Sequence, residues 1–126
     1  MLMADQIIEI SSTKVKTSLL ITENNIFIDV DHLSESGIIE HMAQTCSAIF
    51  GHTFYKEENN ESKRLIGFIT NIKKLTISSL PKYNSTIISK AEKISEYENI
   101  CNINCQTFCN NILIADAEMS MFIREI

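Results

Sequence analysis

One stretch of the chain has the pattern of a long α-helix, "DHLSESGIIEHMAQTCSAIFGH" at residues 31–52, and the segments on both sides are rich in Ile, Val and Thr. That imbalance restricts the architecture. A lone amphipathic helix can bury its apolar stripe only against the sheet formed by the rest of the chain. The helix is expected from about Ser36 to His52, with Ser34 or Ser36 as N-cap and no acid three residues on to complete a capping box.

Advancing ~100° per residue from Ile39 places Ala43, Cys46 and Phe50 within about 40° of it, and Met42 and Ile49 at roughly −60° to −80°. Glu40, Gln44, Ser47 and Gly51 fall on the other shoulder at roughly +80° to +140°, and His41 points away from the stripe. Glu40 and Gln44 are therefore expected to form a polar ridge, one turn apart, bordering the buried face. Taken alone, such a ridge is a solvated helix shoulder, with Glu40 favoured near the N-terminus by the helix dipole.

The remaining segments read as strands and turns. Residues 6–22 form one strand or a hairpin bent at Ser11-Ser12, and Ile26–Val30 is a short strand after an Asn24-Asn25 turn. "YKEENNESKR" is a polar loop, "LIGFITNIKKLTISS" a strand and "LPKYNS" a turn around Pro81. The remainder alternates as antiparallel strands, with a turn at Cys109-Asn110-Asn111. The expected fold is α+β, an antiparallel sheet of five or six strands wrapped around one long central helix, in a single domain over residues 1–126.

Several function classes drop out. A formal net charge of −5 argues against nucleic acid as a partner. No apolar run approaches the roughly 20 residues that span a bilayer. The start "MLMADQIIEI" lacks the basic and apolar regions of a secretory signal, so the expected location is cytoplasmic. Cys101, Cys105 and Cys109 resemble a metal motif but alternate with Asn, Ile, Gln and Thr as a strand does. On a strand, sulfurs four residues apart stand about 13 Å from one another, too far to share one ion. They are read as buried small hydrophobes in a reducing compartment, with no metal and no cofactor expected.

The segment "SESGIIEHMAQTCSAIFGH" resembles the central helix of hot-dog-fold dehydratases of the 3-hydroxyacyl-carrier type. Those helices begin at a Gly, carry an edge carboxylate and continue into an "xxAQ" run; here these are Gly37, Glu40 and "HMAQ" ending at Gln44. The similarity is greatest to the small dehydratase-like group of aryl-polyene and dialkylresorcinol pigment pathways. "LIGFITNIKKLTISSLPKYNS" is similar to the family strand that has a Gly near its start, here Gly67, and a Pro-containing turn after it. Where the family often has Pro-Gly-Asp, this chain has Pro81-Lys82-Tyr83-Asn84.

The resemblance implies a chemistry. In the family, a loop His of one protomer faces the helix carboxylate of the other; together they remove the α-proton and protonate the departing β-hydroxyl. Glu40 matches the carboxylate, and Gln44 the amide that orients it. Gly37 matches the helix-start Gly whose amide polarises the thioester carbonyl, and Gly67 is carried over as a substrate-binding position. The family's "H-F-P-G" loop is absent, and His32, eight residues before Glu40, stands in the corresponding loop. His41 and His52 are read as structural or exposed. The resemblance thus implies a hydro-lyase acting on 3-hydroxyacyl thioesters of acyl carrier protein or CoA in fatty acid or polyketide biosynthesis. The alternatives are a non-catalytic hot-dog subunit that binds acyl chains or an active paralogue, and an acyl thioesterase. Either way a homodimer or higher homo-oligomer is expected. Between Lys56 and Lys82, six basic residues face three acids, a surface suited to an acidic carrier protein.

Overall fold

The computed structural model describes residues 2–57 and 65–125, with side chains described over 2–49 and 67–124. A hairpin opens the chain: β1 (Gln6–Ile10) and β2 (Lys14–Leu20) join through a bend whose Ser11 hydroxyl accepts from the amides of Thr13 and Lys14 at 3.3 and 3.0 Å. Two two-residue strands, β3 (Ile28–Asp29) and β4 (His32–Leu33), pair with each other just before the helix α1 (Glu35–Glu57). Four long strands follow: β5 (Leu65–Ile77), β6 (Thr86–Tyr97), β7 (Ile100–Cys109) and β8 (Ile112–Glu125).

The six longer strands form one antiparallel sheet in the order β1-β2-β6-β7-β8-β5. Hairpins set most of this order, because a two-residue loop forces adjacent strands together. Between β7 and β8 that loop is Asn110-Asn111, both with positive φ (52° and 64°), a conformation Asn tolerates better than most residues. A similar two-residue loop at Glu98-Asn99 joins β6 to β7, dividing a run in which the sequence shows no Gly or Pro. The result is the hot-dog arrangement expected from the sequence: one long helix against a curved six-stranded sheet.

Alternation along the strands supplies the inner face. Cys101, Ile103, Cys105 and Thr107 of β7 are buried, with Cys109 half-buried on the same side, while Ile100, Asn102, Asn104 and Gln106 face outward. The core joins these to Val15 and Leu19 of β2, Ile87 and Ala91 of β6, and Ala115, Ala117, Met119 and Met121 of β8. Hydroxyls within this face pair with one another, Ser89 with Thr107 at 2.6 Å and Thr17 with Thr45 of the helix at 2.7 Å, so they are buried without losing partners.

The helix departs from the expected pattern in two ways. It runs on to Glu57, about five residues past His52. Its buried side is Ile38, His41, Met42, Thr45, Cys46 and Ile49, whereas Ile39 and Ala43 are only half-buried. Relative to a stripe centred on Ile39, the buried face is turned by roughly 90° toward His41 at 100° per residue. Of the two readings of His41, structural or exposed, the structural one holds, and its expected position opposite the buried stripe is overturned. The physical reason is that His41 and Thr45 find hydrogen-bond partners inside, so polar residues occupy the buried side and no apolar periodicity marks it. Phe50, Gly51, His52 and the loop "YKEENNESKR" from residue 58 onward, with half of the expected basic surface (Lys56, Lys63 and Arg64), lie outside the described side chains. Lys73, Lys74 and Lys82 of that surface are exposed.

Candidate active site

The start of α1 is fixed by Ser34. Its hydroxyl accepts from the Gly37 amide at 3.2 Å, and its carbonyl accepts from Ile38 at 3.1 Å, the geometry of an N-cap. Gly37 itself is buried. A Cβ there would lie 2.7 Å from both Leu33 Cδ1 and Phe27 Cβ, so the glycine is required by close packing against the β3–β4 hairpin. The amide assigned by resemblance to a thioester carbonyl is thus engaged by Ser34 in the isolated chain, and the absent side chain serves the packing.

One turn further on, Glu40 is exposed and Gln44 half-buried. Gln44 Nε2 donates to Glu40 Oε1 at 3.0 Å, while Gln44 Oε1 accepts from the Met3 amide at 2.6 Å. Glu40 lies on the side of α1 away from the buried face, rather than on its border. The structure brings Glu40 and Gln44 together as the sequence implied, and places the pair on open surface.

His32 sits at the entry to the helix, half-exposed, with Nδ1 3.1 Å from Asp31 Oδ1. A carboxylate only accepts, so Nδ1 is the donor in this pair. The surrounding backbone is stitched to the turn at Pro81: Leu33 donates to the Pro81 carbonyl at 2.8 Å, Tyr83 to the Asp31 carbonyl at 3.1 Å, and His32 bridges Lys82. No hydrogen bond among the described residues joins His32 to Glu40. Gly67 lies on β5 opposite Ile123, half-buried, on the helix-facing side of the sheet's edge strand. The structure therefore assembles Glu40 with Gln44, and leaves His32 and Gly67 as separate positions around the helix.

Sequence reasoning missed two residues of this neighbourhood. His41 is fully buried and hydrogen-bonded through Nδ1 to the Met3 carbonyl; burial lowers its pKa below the ordinary histidine value of 6.5, and Nε2 has no partner among the described residues. Met3, also fully buried, lies beside it and receives the Asn25 side-chain amide at its sulfur (3.4 Å). Only the long-range contact of positions 3, 41 and 44 reveals this role, and no local pattern encodes it. Two shallow grooves of about 280 and 350 Å³ lie on the outer face of the sheet around Lys16 and Lys90; neither is lined by Glu40, His32 or Gly37. Among the described residues no group of three His, Cys, Asp or Glu side chains is arranged to hold a metal ion, and no helix is long and apolar enough to cross a membrane.

A long helix packed against a six-stranded antiparallel sheet, with a carboxylate–amide pair on its open side, makes this a protein of the hot-dog-fold class. Within that class the chain belongs to the ApeP-like family, whose model, for ApeP dehydratase, matches residues 1–125. The fold is similar to that of the dehydratase heterocomplex ApeI:P from Xenorhabdus doucetiae, with a TM-score of 0.80, 15% identity, and coverage of 96% of this chain and 82% of that one. It is also similar to a hypothetical thioesterase with coenzyme A from Streptococcus pneumoniae, with a TM-score of 0.78, 11% identity and coverage of 95% and 85%. A third similar structure is smu.793 from Streptococcus mutans bound to acetyl CoA, with a TM-score of 0.77, 8% identity and coverage of 95% and 88%. A sequence search of curated proteins finds no match.

Proposed function

We propose that the chain dehydrates a 3-hydroxyacyl thioester carried on acyl carrier protein or CoA, with Glu40 as the working carboxylate. The observation that carries this reading is the Gln44–Glu40 contact: an amide N–H held at 3.0 Å fixes one carboxylate oxygen and leaves the other to exchange a proton. In the reaction a base removes the α-proton, its electrons form the C=C bond, and the β-hydroxyl leaves as water after taking up a proton. His32 is the second proton carrier. Gly67, on the helix-facing side of β5, is the position where the acyl thioester passes close to backbone.

An exposed carboxylate makes a poor site by itself, because acid–base chemistry of this kind gains from exclusion of water. A second hot-dog subunit joined along β5 supplies that cover and brings a His32 to face Glu40. β5 is a thirteen-residue strand at the edge of the sheet, with backbone groups open to further pairing. The relative solved as a heterocomplex supports assembly with a second subunit, either a copy of this chain or a paralogue. Exposed Lys73, Lys74 and Lys82 suit docking of an acidic carrier protein. The free cysteines fit a reducing, cytoplasmic setting.

A second reading has its own observation. His32 is tied to its neighbour Asp31 and makes no hydrogen bond with Glu40, as expected of a non-catalytic subunit that supports an active paralogue. Incubation with 3-hydroxyacyl-carrier substrates, with mass spectrometry of the products, separates the readings. An enoyl product that disappears in Glu40→Ala supports dehydration, free acid indicates a thioesterase, and activity unchanged in Glu40→Ala overturns the role of Glu40.

A further inference from the structure

Segment Leu2–Asp5 crosses the helix in front of β2, and three side chains tie it down. His41 Nδ1 binds the Met3 carbonyl, Gln44 Oε1 accepts from the Met3 amide at 2.6 Å, and Asp5 Oδ2 accepts from the Leu20 amide at 2.6 Å. Met3 fills a fully buried position, with its sulfur against Asn25. The direction of these bonds has a chemical consequence. A backbone N–H can only donate and a backbone carbonyl can only accept. The Met3 amide therefore requires the oxygen of Gln44, which turns the nitrogen of that carboxamide toward Glu40. The Met3 carbonyl likewise requires a proton on His41 Nδ1, which leaves Nε2 unprotonated.

We propose that Met3 and His41 are positioning residues for Glu40: the strap backbone sets the flip of the Gln44 carboxamide, so that Gln44 presents a donor and never an acceptor to the carboxylate. This rests on the reading of Glu40 as the working carboxylate. With the amide flipped, Gln44 would place an oxygen against Glu40 and repel its ionised form. His41 occupies the buried side of α1 and Glu40 the open side, and the strap links them around the helix through Met3 and Gln44. A fully buried histidine whose Nε2 has no partner among the described residues is costly to retain, and holding the strap gives that residue a purpose.

Two measurements test this, one of them independent of activity. In the ¹⁵N-labelled wild-type protein, NMR is expected to report His41 protonated on Nδ1, a Met3 amide protected from exchange, and a Gln44 carboxamide resonance that shifts in Glu40→Ala. That resonance is expected to shift likewise in His41→Leu, and to keep its wild-type position in His41→Asn, whose side-chain amide can replace the Nδ1 donor. In turnover assays His41→Leu is expected to lower kcat by about 10- to 100-fold with KM little changed, the effect of a misplaced reacting group, and His41→Asn to recover most of it. An Nε2-protonated His41, an unprotected Met3 amide, or a Gln44 resonance indifferent to Glu40→Ala would overturn the proposal even if His41→Leu fails to fold. A protein that meets the NMR expectations yet forms no enoyl product leaves the strap's role intact and rejects the proposed reaction instead.

Discussion

His41 lies wholly inside the protein and donates from Nδ1 to the carbonyl of Met3, thirty-eight residues away. Burial is the largest influence on its titration and lowers its pKa; the Met3 bond and the charge of Asp5 act the other way without prevailing. The folded protein therefore holds a neutral imidazole where the unfolded chain takes up a proton near the ordinary value of 6.5. Stability from this site is fully present above that pH and is lost as pH falls from it toward the depressed folded value. Urea denaturation at pH 7.5 and pH 5.5 is expected to show lower stability at the acid value. The part of that slope due to this site is expected to vanish in His41→Leu; an unchanged slope would refute the assignment.

Gly37 is held by packing. A methyl group at this position meets Leu33 and Phe27 at 2.7 to 2.8 Å, inside any normal carbon–carbon contact. Gly37→Ala gains helix propensity, worth about 1 kcal/mol in an open helix, but overpacking of this kind costs typically ~1–3 kcal/mol. The balance is expected to be net destabilisation, read as a lowered midpoint in chemical denaturation. A stabilised Gly37→Ala would show that the β3–β4 hairpin yields to the methyl group.

Val30 is in the left-handed region at φ 60° and is 89% exposed. A β-branched residue pays about 1–2 kcal/mol for that conformation, and nothing packs on its side chain to offset it. Val30→Gly relieves the strain at an entropic cost of roughly 0.5–1 kcal/mol. A gain of up to about 1 kcal/mol is therefore expected, seen as a higher Tm. Val30 is two residues from His32, so unchanged turnover in the same variant would show that the strain serves no catalytic purpose.

What could be read from the sequence follows from the range of the forces involved. Strand alternation and Asn-rich turns are local, so the six-stranded sheet around one helix, the Asn110-Asn111 turn and the shared inner face of Cys101, Cys105 and Cys109 were all legible. The contact of Gln44 with Glu40 was legible too, because residues four apart on a helix are neighbours. The rotation of the buried face was not. It depends on His41 and Thr45 finding Met3 and Thr17 far along the chain, and a polar residue satisfied at long range looks solvent-facing in a hydropathy pattern. Gly37 was matched by resemblance to a carbonyl-polarising amide, and the sequence does not show that Phe27 and Leu33 fill the space beside it.

The thiols make a last test of the inner face. Cys46 of α1 meets Cys105 of β7, and this hydrogen-bonded neighbour, together with burial, raises the Cys105 pKa well above the ordinary thiol value. Burial raises that of Cys101 as well. Thiolate is the reactive form, and Cys46, Cys101 and Cys105 are all 0% exposed, whereas Cys109 is partly open at the end of β7. A disulfide reagent such as dithionitrobenzoate is therefore expected to modify one thiol per chain quickly under native conditions and the other three only with unfolding. Cys109→Ser is expected to remove the fast phase and leave the slow one. Fast modification of more than one thiol would mean that the helix does not seal the sheet at Cys46 and Cys105.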